Sequence, residues 1–530
     1  NTGFDGGTSN TAFGKSVGTI DSGSNYNVFI GEFVAGTGTL NDATYNTAVG
    51  YNALTDLTTA DSNVAIGALA AENITGGGYN VIIGAAAGRN TTSVTNAILI
   101  GNEAGLAVMT NDAIGSIFIG TSAGANMLSG IGNIAIGYQA LIAEDDGDFS
   151  TAVGHQALTA QTGTSGTVGN TAVGYQAGLA VTTGIEGTFT GYQSGKAITI
   201  GRWNTAYGTQ TLFTDDVGDF STAIGIYSLY SQNSDSDNEV TGNTGLGAYT
   251  GFYNVTGQNN TYLGYNSGKG ASGESNSMNT GVGKDALLSI TTGGNNAVLG
   301  SRAGDALTTG NFNVMMGDFA GSTAQDVDST ILIGHSAGGS GNMTSAADGT
   351  VAIGYASLNS LISGAKNIAI GYDAMGDMTI GGNNIAIGYE SMNALVGDDS
   401  TNCGHRNIAI GTDAMGGVNN DGHVDCEMDD NIAIGVTALL GGSVSGAVDL
   451  VGNIAIGNGA LNSTGTNGHT GTIAIGHDAL TAITSGTGNT AVGYQALMTE
   501  DDGVNNTAIG YAALKLANNA NGKNTAVGYN

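Results

Sequence analysis

Acidic residues recur in short, mostly glycine-containing segments of this sequence, and they are the first candidates for chemistry. The residues in question are Asp145, Asp146 and Asp148 in AEDDGDF, Asp215 and Asp216 in TDDVGDF, and Asp501 and Asp502 in EDDG. Carboxylate oxygens in such loops are hard ligands suited to Ca²⁺. None of the segments has the spacing of an EF-hand loop, so a solvated acidic edge is the alternative interpretation. Calcium is therefore the one cofactor that the sequence suggests, without requiring it.

The two cysteines, Cys403 and Cys426, are the second candidates. They lie in the insertions of consecutive long repeats, which places them at nearly the same height if the repeats stack. A disulfide is geometrically reasonable for such a pair and is typical of an oxidising, extracellular setting. Because His405 and His423 lie close in sequence, a Cys₂His₂ zinc site is one alternative, and a pair of free thiols is another.

Two serine motifs, GTSAG at 120–124 and GHSAG at 334–338, match the G-x-S-x-G nucleophile elbow. That elbow requires a strand, a sharp turn and a helix, and no helix is predicted near either motif. Both matches arise from a repeat that places glycines around a small residue. We therefore expect no catalytic residue and no enzymatic activity.

One phrase, N-x-A-(V/I)-G, organises the sequence that must position these residues. It recurs at 29 glycines from Gly14 to Gly528, and 17 of the 28 intervals are 17 residues long, the others 18 to 24. So short a unit holds a core only by stacking on its neighbours, as in a solenoid. Dense glycine and an apolar period of two favour strands over helices. We predict an all-β fold, a parallel β-solenoid of about 29 coils.

The columns around each repeat glycine predict how the strands face. The residue before the glycine is almost always large and apolar, as in Val49 and Ile66, and we assign it to the interior. The residue before that, alanine in 18 copies, then points outward. Strands that are apolar on both faces are buried on both, so we expect sister chains to cover the alanines, unless a second sheet of the same coil does. The interface candidates are Ala48, Ala65, Ala135, Ala369, Ala386, Ala409 and Ala433.

Two polar columns complete the repeat. Asparagine stands four residues before the glycine in 21 of the 29 copies, and we expect these side chains to hydrogen-bond along the stack. Tyrosine often follows the glycine, and we expect it to be half-exposed; the examples are Tyr51, Tyr138, Tyr175, Tyr372 and Tyr494.

Charge narrows the possible partners. The chain carries 43 acidic residues against 11 lysines and arginines, a formal net charge of −32. Such a chain is repelled by nucleic acid and by anionic membranes. No apolar run approaches the roughly 18 residues that a spanning helix needs, so we expect no nucleic-acid partner and no direct membrane insertion by this segment.

The phrase NIAIGYQAL at 133–141 and the phrase NNAVLGSRAG at 295–304 resemble the short repeats in the heads of trimeric autotransporter adhesins, which form a trimeric β-roll. NTAVGYQAL at 489–497 also resembles repeats of phage tail-fibre-like proteins and large bacterial surface proteins. The resemblance covers essentially the whole chain, but the 17-residue coil is longer than the adhesin unit, and no stalk heptads, membrane anchor or chaperone domain are present. It implies a left-handed coil and a homotrimer.

These observations predict one continuous solenoid domain over residues 1–530, with enlarged loops at 226–246 and 389–456, as part of a longer chain. The expected function is a non-enzymatic structural fibre or adhesin shaft, extracellular or on a bacterial cell surface. Its partner would be itself, as a trimer and in an end-to-end filament. The alternative is a phage tail fibre, a virion appendage that recognises a surface glycan or host-cell receptor through the inserted loops.

Overall fold

The computed structural model of the chain describes residues 7–37, 39–163, 166–395, 404–417, 428–441, 449–464, 468–518 and 522–530. The chain divides into two compact units, Asn1–Asn259 and Asn260–Asn530. Each unit is a parallel β-solenoid, with about 28 turns in the chain and a period near 17 residues. Apart from two single-turn 3₁₀ helices, Asn111–Ala113 and Ser345–Ala347, the regular structure of the described residues consists of strands. The predicted all-β parallel solenoid is confirmed.

The first unit contributes one three-residue strand per repeat. Two shorter strands, Gly147–Asp148 (β9) and Gly166–Thr167 (β11), pair with each other at a second corner. The repeat strands are Thr11–Phe13 (β1), Val28–Ile30 (β2), Thr47–Val49 (β3), Val64–Ile66 (β4), Val81–Ile83 (β5), Ile98–Ile100 (β6), Ile117–Ile119 (β7), Ile134–Ile136 (β8), Thr151–Val153 (β10), Thr171–Val173 (β12), Thr188–Thr190 (β13), Thr205–Tyr207 (β14), Thr222–Ile224 (β15) and Thr244–Leu246 (β16).

The second unit has the same plan. Three two-residue strands, Met428–Asp429 (β26), Leu450–Val451 (β28) and His469–Thr470 (β30), form a small sheet of their own. The repeat strands are Thr261–Leu263 (β17), Thr280–Val282 (β18), Ala297–Leu299 (β19), Val314–Met316 (β20), Ile331–Ile333 (β21), Val351–Ile353 (β22), Ile368–Ile370 (β23), Ile385–Ile387 (β24), Ile408–Ile410 (β25), Ile432–Ile434 (β27), Ile454–Ile456 (β29), Ile473–Ile475 (β31), Thr490–Val492 (β32), Thr507–Ile509 (β33) and Thr525–Val527 (β34).

Within each unit, successive repeat strands pair in parallel and in register, so each sequence column becomes a row along the stack. Ala48 lies opposite Ala65 in β3 and β4, for example, and Val49 lies opposite Ile66. The glycine after each strand is required by this close stacking. Gly50 has φ of 148°, and a methyl group there would collide with the backbone carbonyl of Gly67 on the next coil.

The alanine row lies inside the coil, which reverses the two predicted faces. Except for Ala12 and Ala526, in the first and last strands, the alanines of the strand centres are fully buried within their own unit. The residues on either side of them point outward, so that Ile66 is 39% exposed and not interior as predicted. The seven alanines proposed as an interface therefore cannot contact a sister chain: Ala48, Ala65, Ala135, Ala369, Ala386, Ala409 and Ala433.

Parity explains the reversal. Side chains alternate across a strand, so the asparagine two residues before the alanine shares its face. That asparagine is buried because it carries a hydrogen-bonded row, as predicted: the side-chain amide of Asn46 donates to Asn27, and that of Asn63 donates to Asn46. Each amide also donates to a backbone carbonyl within the coil, that of Ala60 for Asn46. Because the asparagine lies inside, the alanine on the same face also lies inside. The large residues on either side of the alanine therefore face outward.

Candidate functional site

The outward residues of eight neighbouring strands in the second unit form an apolar surface, which we call the isoleucine face. Strands β21 to β25, β27, β29 and β31 pair in register across it. It consists of Ile331, Ile333, Val351, Ile353, Ile368, Ile370, Ile385, Ile387, Ile408, Ile410, Ile432, Ile434, Ile454, Ile456, Ile473 and Ile475.

Every residue of the isoleucine face is partly exposed within the single chain. Ile387 is 37% exposed and Ile410 36%, while the alanines between the outward residues are buried. At about 4.8 Å per strand, eight strands span about 34 Å. Two β-branched rows of that length form an apolar patch of several hundred Å², on the order of the largest patch that a typical soluble monomer exposes.

The equivalent surface of the first unit is more polar over part of its length. From β10 to β16 the residue that opens each repeat strand is threonine, and the residue that closes it includes Thr190 and Tyr207. The sequence analysis assigns the residues that open and close each repeat strand to the interior, so it does not identify this surface in either unit. The buried asparagine two residues from each alanine is the signal that could have found it.

Tyrosines that follow the repeat glycine stack on one another along the coil corner. Tyr51, Tyr138, Tyr175, Tyr372 and Tyr494 are 40% to 50% exposed, which confirms the predicted half-exposure. The ring centroids of Tyr355 and Tyr372 lie 4.9 Å apart with an interplanar angle of 8°, and those of Tyr372 and Tyr389 lie 5.2 Å apart at 11°. In the first unit, Tyr175 and Tyr192 stack in the same way at 5.3 Å.

The acidic segment 144–148 is held by hydrogen bonds within the solenoid. Glu144 is fully buried and accepts hydrogen bonds from the Gly147 amide at 2.7 Å and from the side-chain amide of Gln161 on the next coil at 2.6 Å. Asp148 accepts from the Ile131 amide at 2.7 Å, and Asp146 from the Ser129 hydroxyl at 2.5 Å. Asp145 accepts from the Asp146 amide at 3.1 Å. The bonds from Gln161, Ile131 and Ser129 join adjacent coils, so three of these acids link the stack, and calcium at this segment stays a prediction.

The structure places Asp215, a candidate calcium ligand, inside the coil. Its carboxylate is fully buried in the coil and accepts hydrogen bonds from Gln232 at 2.6 Å, from the Ser234 amide at 3.2 Å and from the Gly218 amide at 3.3 Å. Both oxygens are thus occupied by protein donors. Burial raises the pKa of the Asp215 carboxyl, although the hydrogen bonds from Gln232 and Ser234 oppose that shift. Asp216 follows it on the surface, where its backbone carbonyl accepts from Thr199.

Among the described residues, one group of three acids brings its oxygens within 4.8 Å of one another: Glu500, Asp501 and Asp502. Glu500 is buried and accepts from the Gly503 amide at 2.9 Å, whereas Asp502 is exposed. Desolvation and the neighbouring Asp501 raise the pKa of Asp502. Carboxylate oxygens are suitable donors for Ca²⁺, so calcium at Asp501 and Asp502 stays a prediction.

The serine motifs form exposed turns of the repeat. The Ser336 hydroxyl lies 3.1 Å from Nδ1 of the adjacent His335, whose Nε2 is 3.8 Å from an oxygen of Asp318. Both His335 and Asp318 are about half-exposed, and the imidazole also stacks on Tyr355 at 5.3 Å. A nucleophile needs a base held in place by a third group, and a 3.8 Å contact in solvent does not provide one. In the other motif, the Ser122 hydroxyl contacts Glu103.

The proposed cysteine pair, Cys403 with Cys426, lies outside the described residues, as does His423. His405, the other candidate zinc ligand, uses Nδ1 to accept the Gly382 amide at 2.9 Å. The disulfide, zinc and free-thiol alternatives all stay open.

Within the described part of the chain, no helix has the length and apolar character needed to cross a membrane. Comparison with known proteins found no family model that matches this chain and no curated protein similar to it. Any function must therefore be argued from the surfaces described above.

Proposed function

We propose that this protein is a non-enzymatic structural fibre or adhesin shaft, extracellular or on a bacterial cell surface, in which copies of the chain associate as a homotrimer through their outward strand faces. The observation that carries the proposal is the isoleucine face. It is wide, regular and apolar, and nothing within the described part of the second unit covers it.

Association of copies would remove the isoleucine face from water. Burying apolar surface is worth roughly 25 cal/mol per Å², so a face of several hundred Å² strongly favours association over exposure to water. A copy of the same chain is the fitting occupant because the face is uniform along the stack. The isoleucines recur at the strand spacing, and an identical row from a second chain matches that spacing at every coil.

Two further features support a shaft. Stacked coils joined by in-register strands and by hydrogen-bonded asparagine rows resist bending, which suits an element built for reach. The net charge of −32 keeps an assembly soluble. A left-handed coil stays a prediction of the resemblance, and an end-to-end filament stays a prediction from the sequence.

The experiment compares two lysine substitutions by sedimentation velocity. Ile387 lies on the isoleucine face at 37% exposure, and Ile362 lies outside the strands at 43% exposure. Ile387→Lys and Ile362→Lys therefore make the same chemical change at similar accessibility. We expect Ile387→Lys to shift the assembly toward the 52.3 kDa chain, because an unpaired charge in an apolar interface is unfavourable. Ile362→Lys should sediment as wild type.

Circular dichroism shows whether both variants keep their strands. Equal behaviour of the two folded variants, assembled or not, would contradict association through the isoleucine face. The conservative change Ile387→Val should leave the assembly intact, since it keeps a β-branched apolar side chain at that position.

A further inference from the structure

The stacked tyrosines of the second unit form a site for oxidative coupling that none of the features above uses. We propose that Tyr355, Tyr372 and Tyr389, here called the tyrosine stack, are joined by dityrosine bonds between successive coils when a one-electron oxidant of the peroxidase class acts on the protein.

The three rings of the tyrosine stack are close together and accessible. The three rings are nearly parallel, with centroid separations of 4.9 and 5.2 Å, and their side chains are 49%, 47% and 49% exposed. They are therefore open to a soluble oxidant and already adjacent to their coupling partner. A phenoxyl radical normally has to find a second one by diffusion, and the stack removes that search.

The backbone holds this arrangement in place. Strands β22, β23 and β24, which precede the three tyrosines, pair in register. On the other side of the rings, the Asp373 amide donates to the Tyr355 carbonyl at 2.8 Å, and the Glu390 amide donates to the Tyr372 carbonyl at 2.9 Å. The ring-bearing corners are thus tied on both sides, while the rings themselves are half-exposed.

Coupling of two tyrosines removes two electrons and two protons from the pair. Each of two tyrosines loses one electron to the oxidant and its phenolic proton to a base or to water, which gives two neutral phenoxyl radicals. The radicals form one carbon–carbon bond between ring carbons ortho to the oxygens. Each bonded carbon then loses its hydrogen as a proton while the phenolic oxygen regains one. The pair has lost two protons and two electrons in total, and both hydroxyls are restored.

One carboxylate is placed to accept the phenolic proton. The side chain of Glu390, the next residue, raises the pKa of the Tyr389 phenol through a hydrogen bond and its negative charge. Loss of the electron makes the phenol strongly acidic, so a hydrogen-bonded carboxylate aids formation of the neutral radical at that position.

The test oxidises the folded full-length chain briefly with peroxidase and hydrogen peroxide and maps linked peptides by mass spectrometry. We expect peptides joined through Tyr355–Tyr372 and Tyr372–Tyr389, each lighter than the sum of its parts by two hydrogens. On a denaturing gel the chain should still migrate as a single chain of 52.3 kDa, because the bonds lie within it. Tyr79 and Tyr207 are more exposed, at 67% and 58%, and among the described residues neither stacks on another tyrosine. Links through them should be at least about tenfold rarer.

Tyr372→Phe should abolish both links of the stack while the Tyr494–Tyr511 link, from rings 5.0 Å apart, persists in the same sample and reports that the solenoid is folded. Tyr79→Phe should change nothing. The proposal is overturned if Tyr79 and Tyr207 couple as efficiently as the stack, if the coupled material migrates only as joined chains, or if oxidation of the folded wild type yields no Tyr355–Tyr372 peptide.

Discussion

The coils of β7 and β8 are neighbours, yet they fill the same interior in opposite ways. In the coil of β7 the strand centre is Phe118, and the residue six positions later is Gly124. In the coil of β8 the strand centre is Ala135, and the equivalent later residue is Leu141. All four positions are buried. The two columns therefore share one volume, and a large side chain in either column requires a small one in the other.

The exchange of volume recurs along both units. A methyl group on Gly124 would lie 2.7 Å from the Phe118 ring, so the glycine is required by the phenylalanine. Gly105 faces Leu99, and Gly321 faces Met315, in the same relation. By contrast, Ala369 and Ala386 are followed at the same spacing by Met375 and Met392. The lesson is that a large interior side chain can come from either column, which lets one repeat accept different sequences.

The largest effect on stability should come from truncation of Phe118 in the coil of β7. Phe118→Ala leaves a cavity that Gly124 cannot fill, and we expect a loss of about 3–5 kcal/mol in the free energy of unfolding. The double variant Phe118→Ala/Gly124→Leu copies the neighbouring coil and should recover more than half of that loss. Leu141 already has φ of 54°, so the backbone of this corner accepts leucine. Urea unfolding measures both variants, and a double variant no more stable than Phe118→Ala would break the comparison.

Overfilling the alanine coil is the reverse experiment. Ala135→Phe places a ring against Leu141, and we expect it to destabilise the solenoid by about 1–3 kcal/mol. Adding Leu141→Gly should restore stability, because the pair then matches Phe118 and Gly124. The check is a double-mutant cycle in urea, whose coupling energy should be favourable. Additive losses would mean that the two columns do not share their space.

The coil that contains Asp215 has a polar interior, and we expect the smallest effect on stability there. Burial raises the pKa of Asp215, so the folded chain binds that proton more tightly than the unfolded chain. Stability therefore falls as pH rises from the ordinary aspartate pKa, 3.8, through the raised folded value. Asp215→Asn has no proton to lose. We expect the stability of wild type relative to Asp215→Asn to decline across that window and then level off.

Thermal unfolding of both proteins at a series of pH values measures this difference. A wild-type advantage that grows with rising pH would contradict the inferred direction of the shift. Because the same titration is missing from the variant, other carboxylates of this acidic chain cancel in the comparison.

The sequence predicts the architecture well because its period is explicit. In-register stacking follows from the fixed spacing of Gly50 and Gly67, and the buried asparagine row follows from its regularity. The orientation of the strand was predicted wrongly because both faces are apolar, so hydrophobicity alone does not distinguish them. Pairing of Phe118 with Gly124 and of Ala135 with Leu141 was present in the sequence and identifies the alanine column as interior.

The burial of a single acidic residue is harder to predict than the burial of a position that recurs in every repeat. Asp215 and Asp216 are adjacent and chemically alike, yet one is buried and the other is on the surface. What separates them is the presence of Gln232 on the next coil, which donates to Asp215. The Gln161 amide plays the same part for Glu144. For Asp215 and Glu144, a glutamine one coil later is the partner that distinguishes the buried carboxylate from its acidic neighbour.

The most direct measurement of the account is the mass of the purified wild-type chain in solution, by light scattering over a range of concentrations. If the outward strand faces are covered in the homotrimer that the resemblance implies, the mass is three times 52.3 kDa. A monodisperse particle of 52.3 kDa at every concentration would show that the isoleucine face stays exposed to water, and would contradict the central claim.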